Sequence, residues 1–232
     1  MIPLALGRQA VKITNVILKY ITIVIRASTT SRSLFYFFSS APMARPKGST
    51  SNARERLIEA AGRGFRTGGF GGIGVDGLAK EAGLTSGAFY THFGSKTEAF
   101  RFALHEGFEF FQRGIAALRQ KVGKNWLSAL VNFYFKDRME VDLCEACVLP
   151  SLTADAMRGD DETRIGYETD LQVLAETLAS GMSGKGAAER SWTLLALFAG
   201  GASLARTVKD ETIRAKILDS VRESALKVCE KR

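Results

Sequence analysis

The chain has 232 residues, 46% of them hydrophobic and 24% charged, a balance that suits a soluble globular protein with room for one large or two small domains. Its 32 Lys and Arg exceed its 24 Asp and Glu by eight, yet Arg8, Lys12, Lys19, Arg26, Arg32, Arg45, Lys47 and Arg54 all precede the first acid, so the rest of the chain is neutral and any affinity for a polyanion must come from local placement of charge. Three cysteines exclude a disulfide framework and suit a reducing cytoplasm, and the longest apolar run, Val16 to Ile25, is interrupted by Lys19 and reaches half of the roughly 20 residues a membrane span needs.

Residues 1–42 are rich in Ile, Val, Phe, Ser and Thr but lack the compact apolar core and small-residue cleavage site of a secretory signal. Residues 1–43 are set apart as an N-terminal extension, disordered or not translated, and the favoured account starts translation at Met43, so that 1–42 is an upstream extension without a selected fold. A cleaved or disordered leader and a membrane-surface anchor are the other two accounts. From Met43 the segment MARPKGSTSN forms a basic arm carrying Arg45 and Lys47, with Asn52 or Ser51 able to cap a helix and Glu55 placed to complete a capping box from Asn52. Arms of this kind ahead of helical readers lie along a minor groove or backbone. The first helix uses Leu57, Ile58, Ala61 and Phe65, and breaks at Gly69-Phe70. Gly72-x-Gly74-x-x-Gly77 spells a dinucleotide fingerprint, but no strand precedes it, so it is read as accidental.

Residues 74–98, GVDGLAKEAGLTSGAFYTHFGSKTE, read as two short helices meeting at a tight turn and leading into a longer one. Val75, Leu78, Ala79 and Ala82 recur at helical spacing, Gly83 can end that helix in a left-handed conformation, and Thr85 or Ser86 can cap the next. In the second helix, roughly 86–92, a 100° step per residue puts Phe89 and Phe93 on one side, which must be core. The opposite side carries Gly87, Ala88 and Thr91 between Tyr90 and His92. A face so lean can enter a major groove, where Ala and Thr methyls meet thymine and hydroxyls meet phosphate. Ser95-Lys96-Thr97-Glu98 forms a capping box that would hold Lys96 close to a passing phosphate.

TSGAFYTHFGSK, preceded by a helix ending in AKEAG, resembles the signature of the TetR family of bacterial transcription regulators, and residues 52–104 match that family's DNA-binding domain in order and spacing. Gly74 departs from the pattern, which usually has Ser or Thr there, and the departure removes a cap and a phosphate donor. The resemblance covers about a quarter of the chain. It implies an all-α protein with a three-helix helix-turn-helix domain at 44–92 and a helical ligand-binding and dimerisation domain at 93–232. Tyr90, His92 and Lys96 are expected to hold the phosphate backbone, while Thr85, Ser86, Gly87, Ala88 and Thr91 face the bases.

Beyond the reader, residues 97–122 continue as a helix with Phe100, Leu104, Phe108, Phe111 and Ile115 on one face. A helix over 125–139 carries the aromatics Trp126, Phe133, Tyr134 and Phe135. Such a cluster is either plain core or the wall of an effector pocket, for which Trp126, Phe133, Tyr134 and Cys147 are the candidate residues. A break follows around Pro150, and 164–179 forms a helix through Ile165, Leu171, Leu174 and Leu178. The last two helices span about 187–207 and 210–229. The first is apolar nearly all round and so must be covered on every side, either in a monomeric bundle or by pairing with a second copy. The resemblance implies the latter, a four-helix homodimer interface, with Leu195, Phe198, Ala202, Ile213, Ile217 and Val221 as its residues.

No catalytic constellation has defensible spacing. Cys144-x-x-Cys147 is half a zinc site without its second half, so neither metal nor cofactor is expected, and its thiols are either inert core or a redox switch. The expectation is a cytoplasmic, ligand-responsive regulator, a repressor on a palindromic duplex operator, with an unidentified small-molecule effector, a homodimeric state and no membrane. The rival is a helical small-molecule-binding protein without sequence-specific DNA binding.

Overall fold

A computed structural model describes residues 53–230, among which nine α-helices and three short 3-10 turns make an all-α fold. Arg45, Lys47, the Asn52 cap and the extension at 1–43 lie outside the described residues.

Helix α1, Ala53–Gly72, buries Leu57, Ala60, Ala61 and Phe65 completely. At Gly69 the backbone turns to φ 70°, a left-handed value that glycine adopts without a Cβ penalty. This bend sends Phe70 back onto Phe65 and Phe100, with ring centroids 5.9 and 5.2 Å away. Helix α2, Val75–Glu81, ends as its sequence predicts: Gly83 at φ +67° donates its N–H to Lys80 O at 3.0 Å, and Leu84 donates to Ala79 O at 2.8 Å. Thr85 opens α3, Ser86–His92, by accepting the Ala88 N–H at 3.2 Å.

Helix α4, Lys96–Val122, buries Phe100, Leu104, Phe108, Phe111 and Ile115, the stripe expected of it. Its cap differs in one respect from the expected box. Ser95 Oγ accepts the Glu98 N–H at 3.0 Å, but the Glu98 carboxylate reaches one residue further back, to the Gly94 N–H at 2.7 Å.

Helix α5, Trp126–Phe135, stops short of the expected 139, and after Lys136 the chain tightens into a 3-10 turn, Asp137–Glu140. A second such turn, Leu143–Glu145, leads into α6, Val148–Met157. Helices α7, Asp161–Ala179, and α9, Glu211–Cys229, are opened by Asp160 and Asp210, whose carboxylates accept the Thr163 and Ile213 N–H groups at 2.9 Å. On α7, Leu174 and Leu178 are buried and Leu171 is half-buried, but Ile165 stands 64% exposed.

Helix α8, Ala187–Thr207, corrects part of the expected dimer surface. Leu195, Phe198 and Ala202 are buried within the protomer, Phe198 stacking on Tyr134 at 4.2 Å. The sequence shows apolar residues on all sides of α8 and does not distinguish the side taken by the chain's own core. The outward side carries Trp192, Ala196, Gly200 and Leu204 instead. Val221 of α9 is half-buried against α8, where a Cβ on Gly201 would lie 2.5 Å from its Cγ1. Ile217 is half-buried as well, and Ile213 is half exposed.

Arginines join the helix-turn-helix to the rest. Arg66 of α1, 5% exposed, donates from Nε to Cys144 O at 2.6 Å. Burial lowers its pKa, opposed by the Glu145 carboxylate. The segment that receives it, 136–147, also accepts at Val141 O and Arg138 O from Arg206, at 3.1 and 3.0 Å, and at Met139 O from Arg214 at 2.9 Å. Arg138 in turn donates to Glu145 O. Phe70 adds a backbone bond, its N–H reaching Asp155 Oδ2 on α6 at 3.2 Å.

Two substitutions test this packing. Phe89→Ala, which empties a fully buried ring site under α3, should lower unfolding free energy by about 3–5 kcal/mol in denaturant titration, and a loss below ~1 kcal/mol would contradict it. Gly181→Ala should cost about 1–3 kcal/mol, because the new Cβ would stand 2.1 Å from the buried Trp126 ring. An unchanged Tm would show that the indole is free to move.

Candidate nucleic-acid interface

Helix α3 has seven residues and is supported from beneath. Phe89 and Phe93, 0% and 1% exposed, lie with ring centroids 5.4 Å apart, and Phe93 continues to Phe102 at 5.6 Å. Above them Thr85, Gly87, Tyr90 and Thr91 are exposed, while Ser86, Ala88 and His92 are half-buried. Tyr90 is 59% exposed, its ring meeting the edge of Phe89 at 5.5 Å. A Cβ on Gly87 would meet nothing nearer than the Thr85 hydroxyl at 3.8 Å. The face is therefore without bulk at its centre, and its depth is set by rings that cannot retract.

The hydroxyls on this face are already engaged in part. Thr91 Oγ1 donates to Gly87 O at 3.0 Å, so the hydroxyl turns back along the helix. Thr85 accepts the capping bond and keeps its own proton for an outside acceptor. Ser86 Oγ donates to the Asp76 carboxylate of α2, a pairing ten residues apart that helical spacing does not reveal. At the start of α2, Gly74 supplies no capping side chain, as its identity requires.

Cations flank the face. Lys96, at the first position of α4, is half-buried with its Nζ 4.6 Å from the centre of the Phe70 ring, so its stem is guided by the bend at Gly69. Arg54 of α1 lies over Phe102 at 4.2 Å and Phe93 at 5.4 Å, a contact the sequence pattern did not single out. Arg63 pairs with Glu81 at 2.8 Å and ties α1 to the end of α2.

Of the four residues expected around an effector, Trp126, Phe133 and Tyr134 are packed core and Cys147 beside them is half-buried. Trp126 lies against Gly181 with the Arg119 guanidinium 4.3 Å from its ring, and Phe133 is 3% exposed. Tyr134 sits between Phe111 and Phe198 and donates to Phe198 O at 3.4 Å. Cys147 neighbours Tyr134, and burial pushes the pKa of both groups up, so at neutral pH this thiol stays protonated and is a poor nucleophile. An open cleft of about 470 Å³ lies elsewhere, between α6 and α7, lined by Thr153, Met157, Arg164, Ile165 and Tyr167 among others. His105 bonds Asp170 at 2.9 Å, a structural role. Among the described residues no cluster of His, Cys, Asp and Glu could hold a metal, and no helix is long and apolar enough to cross a membrane.

Residues 57–101 match the family model described as bacterial regulatory proteins, tetR family. No curated protein matches the chain. Among solved structures, the chain is similar to E. coli NemR in its reduced form, with TM-score 0.63 and 18% identity over 75% of this chain and 96% of that one. A TetR-family transcriptional regulator from Cytophaga hutchinsonii gives TM-score 0.64 and 17% identity over 79% and 100% of the two chains. SCO4454, a TetR-family transcriptional regulator from Streptomyces coelicolor, gives 0.62 and 19% over 77% and 96%. These likenesses carry the fold through the C-terminal helices, and the family model falls on the helices that build the lean face. Residues 57–101 thus carry the helix-turn-helix of the bacterial tetR-family regulatory proteins, and the chain shares the fold of TetR-family regulators.

Proposed function

We propose that this protein is a dimeric, ligand-responsive repressor that binds a pseudo-palindromic operator through α3 and leaves it when a small molecule occupies the C-terminal helices. The observation that carries the reading is the exposed, bulk-free side of α3 held over the buried Phe89 and Phe93. Gly87, Ala88 and Thr91 are suited to approach base edges, with Thr85 and Ser86 at the leading end of the helix. Tyr90, His92 and Lys96 are suited to phosphates, with Arg45 and Lys47 on the arm before α1. The duplex would be met in the cytoplasm.

A dimer is supported by the outward side of α8 and α9. Trp192, Leu204 and Ile213 are 46%, 62% and 50% exposed, with Ala196 and Gly200 between the first two allowing close approach. A second copy across this face would present two α3 helices about 34 Å apart, one DNA turn. A ligand that favours another spacing weakens DNA binding by the coupling free energy, typically ~1–3 kcal/mol. The alternative, a helical ligand-binding protein that does not read DNA, draws on Gly74, which leaves α2 without a capping hydroxyl.

A mobility shift on the region upstream of the protein's own operon separates the two readings: a salt-dependent complex is expected, and none with that or any selected duplex would favour the alternative. Lys96→Ala should weaken binding to all sequences and reduce the salt slope by about 1, and an unchanged slope would remove Lys96 from the phosphate contacts. Gly200→Arg places a charge where a Cβ now meets nothing within 4 Å. It should give monomers in sedimentation with the helical content retained, and a persistent dimer would move the interface off this face.

A further inference from the structure

We infer that Asp76, whose carboxylate accepts the Ser86 proton, selects cytosine at one position in each DNA half-site. The inference rests on the proposal that α3 enters a major groove. Asp76 lies in the first turn of α2, is exposed, and accepts the Ser86 hydroxyl proton. Ser86 is the first residue of α3, so the pair stands at the leading end of the helix, where reading helices meet base edges. Among the described residues no Lys or Arg forms an ion pair with Asp76.

A carboxylate placed there is repelled by phosphates and would lower affinity for DNA in general. It lowers affinity least where a base edge supplies a proton. With the Ser86 proton given to Asp76, the pair has acceptor atoms left and no donor. In the major groove guanine offers N7 and O6 and thymine offers O4, all acceptors, which the pair rejects. Cytosine offers its N4 amino donor, which an Asp carboxylate accepts, whereas adenine sets its N7 acceptor beside its N6 donor. Cytosine is the base that leaves no acceptor facing an acceptor. The neighbouring Gly87 and Ala88 have no polar side-chain atoms to compete for the same edge.

The test is selection of bound duplexes from a randomised pool by the full chain, compared with Asp76→Ala and Asp76→Asn. The unchanged protein is expected to enrich sites with a fixed cytosine in each half, and exchanging that cytosine for guanine should weaken binding about 5- to 150-fold. Asp76→Ala should lose the preference at that position and keep it at all others, with general affinity unchanged or raised. Asp76→Asn should shift the position towards adenine, since an amide can bond N6 and N7 together. Ser86→Ala, which leaves the carboxylate in place, should retain cytosine, and this keeps the assignment testable should the Asp76 variants lose helical content. Identical base preferences in the unchanged and Asp76→Ala proteins overturn the assignment alone. No enriched sequence with the unchanged protein overturns the regulator reading along with it.

Discussion

The burial of two phenylalanines under a helix of seven residues is the constraint from which the rest follows. A helix this short does not hold its shape in water, since nucleation alone outweighs the few bonds it closes. Phe89 and Phe93 supply what the backbone cannot, and Phe102 and the Arg54 guanidinium extend their contacts into α4 and α1. The side of α3 that faces outward can then consist of glycine, alanine and threonine, because the apolar packing that holds the helix lies on the other side.

Orientation of the reading domain depends on a different kind of contact. The bend at Gly69 turns Phe70 into the aromatic cluster and brings its N–H to Asp155. Arg66 crosses from α1 to the carbonyl of Cys144, and the segment it holds is also held by arginines from α8 and α9. The proposed dimer helices and the reading domain thus meet in one stretch of backbone, 136–147, that has little regular structure of its own. The connection from α8 and α9 to α1 is therefore short, running through the carbonyls of this one segment.

Much of the reading domain was legible in the sequence because its signals are local. Gly83 ending α2, Thr85 capping α3 and the aromatic pair four residues apart each act over one or two turns, and spacing alone reveals them. Partners distant along the chain were not legible. Ser86 with Asp76, Arg66 with Cys144 O and Lys96 with Phe70 join residues on different elements, and nothing in the period of a helix announces them. The same limit governed α8. Hydrophobicity on every side carries no phase, so it does not show that Leu195, Phe198 and Ala202 face the chain's own core, where Phe198 stacks on Tyr134. The aromatic cluster of α5 likewise read as a possible cavity wall, and Gly181 lets Trp126 close what would have been open space.

The arginine clasp on segment 136–147 makes the two halves of this protein respond unequally to ionic strength. Its donors are permanent cations, and its acceptors at Cys144, Val141 and Arg138 are neutral carbonyls in part-buried bonds, which mobile counterions screen less than an exposed ion pair. A phosphate contact, by contrast, is made by displacing counterions and weakens steeply as salt is added. Raising the electrolyte concentration therefore weakens a grip on a polyanion far more than it weakens these bonds to carbonyls.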